Sequence, residues 1–372
     1  MALCLMDGNE AIARAAVAAG CRFFAGYPIT PATTIFHEML RLLPPLGGIC
    51  LQGEDEIASM GFCIGAALSG LRAMTATSGP GISLYSEQIS FAIGSEIPLV
   101  IVDVQRLGPS TGSATKGADG DVQFLRWGNS GGIPVIVLAP VDVKDCLTLT
   151  VHAFDLADRF RCPVFIASNK EVGMTRETLD MSQFQFPAQT TRKTGDENSP
   201  YLPYAAPDDA SAPPFLPFGS RQLVRITSST HGVDGYITTD PMEIQRFQER
   251  LCAKIENHID QFSFYDFHET PGAQTLLITY GVTARAARTA VKMAREAGKD
   301  ASVLVLKTLW PVPEAVIRRA AGPCSKVVVA EMNMGQYVRE ISRVLPDRDI
   351  RFLGRMNGTL LTPWEILEAL KQ

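Results

Sequence analysis

The sequence predicts an α/β protein of two units, each a parallel sheet with helices on both faces. Three observations carry this. Short, nearly continuous apolar runs alternate with helical segments from residue 8 to about 182 and again from 273, which is how strands buried on both faces read. Between them, residues 183–220 lose all periodicity and are broken by Pro200, Pro203, Pro207, Pro213, Pro214 and Pro217. The chain's 372 residues, 46% apolar and 20% charged, are enough for two or three domains with their own cores. The expected organisation is a first unit over 1–182, an irregular segment with a helix over 183–272, and a second unit over 273–372.

In the first unit the small residues of 9–19 predict a helix and 22–25 a strand, followed by a helix over 30–43 and a strand over 48–52. A helix over 54–69 leads to a strand over 72–77, and a helix over 83–94 to the strongly apolar strand 98–104. Strands over 134–138 and 163–167 flank a helix over 143–159. Alternation of this kind argues parallel pairing through helical crossovers. Residues 183–220 read as a long crossing segment packed over a partner rather than free. A charged helix over 241–259 follows it. The second unit alternates strand 275–280, helix 282–297, strand 301–307, helix 314–321, strand 326–330 and helix 337–345.

Composition removes several function classes. The net charge is -5 and the Lys and Arg residues are scattered, so there is no footprint for nucleic acid. The 8 cysteines include no Cys-x-x-Cys pair, hence no zinc or iron–sulfur ligand signature. Several lie in apolar runs, as reduced cytosolic thiols do. There is no signal-peptide pattern at the N-terminus and no apolar run long enough to span a bilayer, so the expectation is a cytoplasmic protein that avoids membranes.

Ligands of open parallel sheets bind beyond the carboxyl ends of the strands, so the segments that follow each strand are the candidates. After the first comes Tyr27-Pro28-Ile29-Thr30-Pro31. Its two prolines fix φ and push Tyr27 and Thr30 toward extended geometry. Thr30 then sits where an N-cap belongs, with Pro31 at the first helical position. Next comes Glu54-Asp55-Glu56, favoured at a helix N-terminus by the macrodipole. Glu56 lies on a helix whose Gly61 and Gly65 let another backbone approach, which predicts burial. A buried glutamate is either half of an ion pair or a functional acid. Thr77-Ser78-Gly79-Pro80-Gly81 joins a strand to a helix start and is either a tight turn or an anion site, without phosphate-loop spacing. Arg106 closes the apolar strand, where it is either a carboxylate clamp or a surface arginine opening the Gly/Ser/Thr-rich loop 108–120.

Taken in order, these motifs resemble those of the α subunits of 2-oxoacid:ferredoxin oxidoreductases. The resemblance spans essentially the whole chain. It rests on Tyr-Pro-Ile-Thr-Pro (27–31), Glu-Asp-Glu-Ile-Ala (54–58), Thr-Ser-Gly-Pro-Gly (77–81), Val-Gln-Arg-x-Gly-Pro-Ser-Thr-Gly (104–112), Leu-Trp-Pro (309–311) and Glu-x-Asn-x-Gly-Gln (331–336). The resemblance implies the thiamine-diphosphate-binding (pyrimidine-domain) fold followed by a transketolase C-terminal-like domain. It implies that Glu56 is the catalytic carboxyl on N1′ of the aminopyrimidine, promoting its imino tautomer. Tyr27, Pro28, Ile29, Thr77 and Ser78 would line the cofactor, and Thr30 and Arg106 match the positions that contact the substrate's oxo and carboxylate oxygens. The implied reaction is oxidative decarboxylation of a 2-oxoacid, with coenzyme A taking the acyl group and electrons leaving through iron–sulfur clusters to ferredoxin.

The resemblance also implies partners. The diphosphate–Mg²⁺ motif, Gly-Asp-Gly followed some way on by paired asparagines, has no counterpart here. Gly117-Ala118-Asp119-Gly120-Asp121 follows a loop rather than a strand, and Asn129 comes too soon after it. Mg²⁺ and the 4Fe–4S clusters are therefore expected on a β subunit that shares the thiamine diphosphate, with no metal held by this chain. The family also allows γ and ferredoxin-like δ subunits, and the γ-type domain is expected on a separate chain. The Glu-Asp-Glu and Pro-Ser-Thr-Gly versions resemble 2-oxoglutarate enzymes more than pyruvate or 2-oxoisovalerate ones, which stand as alternatives. Residues 113–133 lack the expected Gln-Ser-Asp stretch, leaving Lys116, with Thr111 nearby, as the residues expected to reach a distal carboxylate. Two rivals remain: the β chain of a lipoyl-linked 2-oxoacid dehydrogenase, which would need a lipoyl carrier and no iron, and a non-catalytic scaffold, which would tolerate loss of Glu56.

Overall fold

The computed structural model describes residues 3–182, 184–187, 191–322 and 324–371. Its strands in chain order begin with β1 (Leu3–Asp7), β2 (Cys21–Gly26), β3 (Ile49–Gln52), β4 (Arg72–Thr77), β5 (Leu99–Gln105), β6 (Ile136–Leu138), β7 (Pro163–Asn169) and β8 (Arg176–Asp180). They continue with β9 (Tyr265–His268), β10 (Thr275–Tyr280), β11 (Ala301–Leu306), β12 (Thr308–Trp310), β13 (Lys326–Glu331) and β14 (Asp349–Gly354).

A seven-stranded sheet in the order β12-β6-β7-β5-β4-β2-β3 forms the first unit. Every pair in it is parallel except β12 with β6. The central strands β5 and β7 are buried at every position, which is why they read as unbroken apolar runs. β12 arrives from the second half of the chain, so Leu309 and Trp310 of the Leu-Trp-Pro motif close the edge of the first sheet. A second sheet runs β14-β13-β10-β11-β9, parallel except for β9 against β11. β1 and β8 pair antiparallel as a separate ribbon.

Helices cover both faces. Helices Gly8–Ala18 and Val143–Phe160 bury their apolar sides in one core cluster, while Glu56–Leu68 and Ser86–Gly94 bury theirs in another. Each cluster extends into the second unit, through Ala284, Ala287 and Val291 in the first case and Ile317, Tyr337 and Ile341 in the second.

The crossing segment packs over its own chain, burying Tyr204, Phe215 and Leu216. Its prolines leave carbonyls outside any ladder, and the buried Arg161 guanidinium donates to those of Pro203 and Pro213 at 3.0 and 3.3 Å. Glu96 lies alongside, fully buried, paired with Arg250 and with Lys254 at 2.7 Å. That ion triad bolts helix Pro241–Glu256 to the end of helix Ser86–Gly94. Among the described residues no helix is long and apolar enough to cross a membrane.

Candidate active site

The segments after β2, β3, β4 and β5 converge. After β3, Asp55 adopts extended geometry and accepts a hydrogen bond from the Ala58 amide at 2.7 Å, a true N-cap. That starts the helix at Glu56, whose side chain turns inward and is 6% exposed. Among the described residues no group is hydrogen-bonded or ion-paired to its carboxyl. Gly65 lies on the opposite, outward side, where a Cβ would meet nothing within 4 Å, and a Cβ on Gly61 would meet only the Gln88 side chain at 3.5 Å. The helix and Glu56 are buried as expected, but through Met60, Cys63, Ile64 and Ala67 rather than by a backbone lying against the glycines.

After β4, Thr77 and Ser78 are fully buried, and the Ser78 hydroxyl has no hydrogen-bond partner. Gly79 takes φ +52, and a Cβ there would stand 2.9 Å from Arg106 Nε. A Cβ on Gly81 would stand 2.0 Å from Thr77 Oγ1 and 2.7 Å from Glu56 Oε1. Only glycine at these positions leaves space for the acid and the guanidinium to share one crevice.

After β5, Arg106 is 4% exposed, and its Nη1 donates to the Thr30 carbonyl at 2.5 Å. Burial pulls its pKa down, and Asp121 and Glu56 oppose that pull. Thr30 itself is exposed and does not cap the next helix, which starts at Thr33 behind Ala32 with no side-chain cap. The reason is tertiary: Asn9 Nδ2 donates to the Pro31 carbonyl at 2.9 Å and the Thr34 hydroxyl at 2.7 Å, holding Thr30–Ala32 as a turn.

Arg106 lines a cleft of ≈ 310 Å³ with Gly79, Pro109, Ser110, Asp121 and Met356. Asp121 belongs to a cluster of three largely buried acids with Asp119, both seen in the sequence only as part of a rejected diphosphate motif, and Asp103, which sequence reasoning passed over. Burial raises Asp119 to about 7 and Asp121 to about 6, and it raises Asp103 well above the carboxylate range. Asp103 is the one charged residue inside the apolar run of β5, and that was the available signal. The Glu-x-Asn-x-Gly-Gln motif latches this loop to the second unit. Asn333 Nδ2 donates to the Asp119 carbonyl at 2.9 Å, and Gln336 Oε1 accepts from Gln123 N at 2.9 Å. Glu331, fully buried, accepts from the Tyr280 hydroxyl and the Tyr337 and Val338 amides at 2.7–2.9 Å.

Residues 14–260 match the family described as pyruvate flavodoxin/ferredoxin oxidoreductase, thiamine diphosphate-binding, and residues 273–366 match pyruvate:ferredoxin oxidoreductase core domain II. The chain belongs to this family. It is 42% identical over 369 residues, 98% of this chain and 97% of the other, to a protein of Methanothermobacter thermautotrophicus named 2-oxoglutarate synthase subunit KorA. A ketoisovalerate oxidoreductase subunit VorB from the same organism is 34% identical, covering 100% of this chain and 98% of that one. Among solved structures, the 2-oxoglutarate:ferredoxin oxidoreductase of Magnetococcus marinus, with 2-oxoglutarate, coenzyme A and succinyl-CoA bound, superposes with a TM-score of 0.91 at 32% identity. It is matched over 100% of this chain, which spans 65% of the length of that one. An inactive split-gene transketolase shares the fold at a TM-score of 0.59 and 15% identity.

The fold is therefore the thiamine-diphosphate-binding one of this oxidoreductase family, and the chain is a subunit of an oxidoreductase. Within it, Glu56, Thr77, Ser78, Thr30 and Arg106 come together around the crevice. Tyr27 is 39% exposed beside them, and Pro28 and Ile29 are half-buried, with Ile29 against the core. Thr111 and Lys116 are exposed on the 108–120 loop and do not line the Arg106 cleft. The Lys116 stem lies against Gly358 of the second unit.

Proposed function

We propose that this chain is the α subunit of a thiamine diphosphate-dependent 2-oxoglutarate:ferredoxin oxidoreductase, acting with a β subunit that carries the diphosphate–Mg²⁺ domain and iron–sulfur clusters. The observation that carries the reading is Glu56: a buried carboxyl with no partner of its own, in a pocket kept open by Gly81. A buried acid without a partner is costly, and it is accounted for by a basic ring nitrogen arriving from the bound cofactor. The unpartnered Ser78 hydroxyl on the same wall supports this fit. When bound, thiamine diphosphate supplies the nucleophilic carbon that attacks the 2-oxo group.

This chain's residues do the rest of the positioning. Glu56 holds a proton at the pyrimidine nitrogen and tunes its basicity. Arg106, buried and fixed by the Thr30 carbonyl, offers its remaining N–H groups to the substrate's 1-carboxylate. Thr30 and Tyr27 face the site from the opposite turn. Lys116 and Thr111 are exposed further along the loop that Arg106 opens, outside its cleft, and the reading assigns them to a second carboxylate. The 2-oxoglutarate assignment is supported by the higher identity to 2-oxoglutarate synthase chains than to a ketoisovalerate chain. Coenzyme A as acyl acceptor and ferredoxin as electron acceptor belong to the same proposal, as do γ and δ subunits.

Glu56→Gln in the assembled complex tests it. The variant keeps shape and loses the exchangeable acid, so turnover should fall roughly 10²–10⁴-fold with the complex still assembled. Unchanged turnover would leave the chain a scaffold.

A further inference from the structure

Asp103 sits in the middle of the first sheet's apolar core, fully buried, and among the described residues neither of its oxygens accepts a hydrogen bond from any N–H or from a hydroxyl. Its carboxyl meets that of Asp121 instead. Two carboxylates repel, whereas a carboxylic acid and a carboxylate share a proton in a short, strong hydrogen bond. The geometry therefore requires a proton on the pair. Asp121 reaches across the loop into the Arg106 cleft and acts electrostatically on the guanidinium. The Arg106 Nε, beside Gly79 on the wall of the same cleft, is buried and has no hydrogen-bond partner among the described residues.

The charged surroundings are few. Asp103 is faced by Asp121 and Asp119. Asp121 is faced by Asp103 and Arg106. Asp119 takes a hydrogen bond from Asn169 at 2.7 Å and feels Glu331 from the second unit. Glu56 adds a further negative charge near Arg106. An anion entering the cleft thus meets one guanidinium and a surplus of carboxyl groups.

We propose that Asp103 and Asp121 form a proton-holding pair beside Arg106 that takes up a second proton from solvent when a carboxylate binds there. Asp103 keeps the first proton and donates it to Asp121, whose negative charge acts across the cleft on the guanidinium that the Thr30 carbonyl holds. The arriving carboxylate pairs with Arg106, its charge disfavours a second carboxylate in the same cleft, and Asp121 accepts one proton from water. One carboxylate and one proton enter together, leaving the net charge of the cleft unchanged. This rests on the reading of Arg106 as the carboxylate clamp. Affinity for the carboxylate should weaken as pH rises above the range in which empty Asp121 titrates, by up to about tenfold per pH unit.

The test is isothermal titration calorimetry of the assembled enzyme with 2-hydroxyglutarate, a dicarboxylate lacking the reactive oxo group, at pH 7 in phosphate and in Tris. The buffer dependence of the heat counts protons taken up. Wild type should take up a substantial fraction of a proton per ligand, and Asp121→Asn should bind with none. Wild-type binding without proton uptake would overturn the pair, as would unchanged uptake in Asp121→Asn. Arg106→Lys separates the two readings. If it abolishes binding while wild type takes up no proton, only the pair fails; if it binds as well as wild type, the clamp fails as well.

Discussion

Gly81→Ala is the smallest perturbation that reaches the centre of the site. The added methyl would lie 2.0 Å from Thr77 Oγ1 and 2.7 Å from Glu56 Oε1, the first of these about 1.5 Å inside ordinary contact. Thr77 cannot yield, being fully buried and stiff at χ1, so Glu56 or the glycine turn must move. Overpacking of this kind costs about 1–3 kcal/mol of stability. A displacement of about 1 Å at a catalytic group costs on the order of 10²-fold in rate. The assay is anaerobic, coenzyme-A-dependent reduction of a viologen dye by the assembled complex, with thermal unfolding measured alongside. Gly65→Ala is the control: its methyl meets nothing in this chain, and exchanging a helical glycine gains up to about 1 kcal/mol in the isolated chain. Gly81→Ala with activity within about twofold of wild type would refute the reasoning.

Glu96→Gln leaves Arg250 and Lys254 buried without their counter-charge, and should lower the unfolding free energy by about 3–5 kcal/mol, read from the urea midpoint. Burial alone would raise the Glu96 carboxyl, but Lys254 and Arg250 outweigh it and hold it well below the usual range. Its contribution is therefore complete above about pH 4.3 and lost as pH falls through the folded value, so wild type should lose stability in acid more steeply than the variant. Asn333→Ala removes the donor to the Asp119 carbonyl and the acceptor for the Gly335 and Gln336 amides. Faster amide exchange over 117–123 and a raised KM should follow, with assembly intact.

The sheet centres were legible because burial on both faces leaves a plain signature. The strands expected over 72–77 and 275–280 are β4 and β10 with the same bounds. What escaped was structure stabilised from a distance. β1, β8 and β14 are half-exposed and carry charges, as loops do. Thr30 read as an N-cap, since nothing local shows Asn9 holding the turn. Gly61 and Gly65 read as a seam for another backbone, although a small-residue stripe is the same in sequence whether its cover comes from this chain or another. The sequence brought Glu56, Thr30 and Arg106 under suspicion one segment at a time. Only the fold shows that one crevice holds them, and that Asp103, hidden in an apolar run, lies beneath it.

The most direct measurement is on the complex purified with its native partners: viologen reduction without oxygen, with coenzyme A and with 2-oxoglutarate, pyruvate and 2-oxoisovalerate in parallel. The account predicts a strong preference for 2-oxoglutarate. Activity confined to another of the acids would contradict the substrate, and no reduction with any of them, in a complex that retains thiamine diphosphate and iron, would contradict the function.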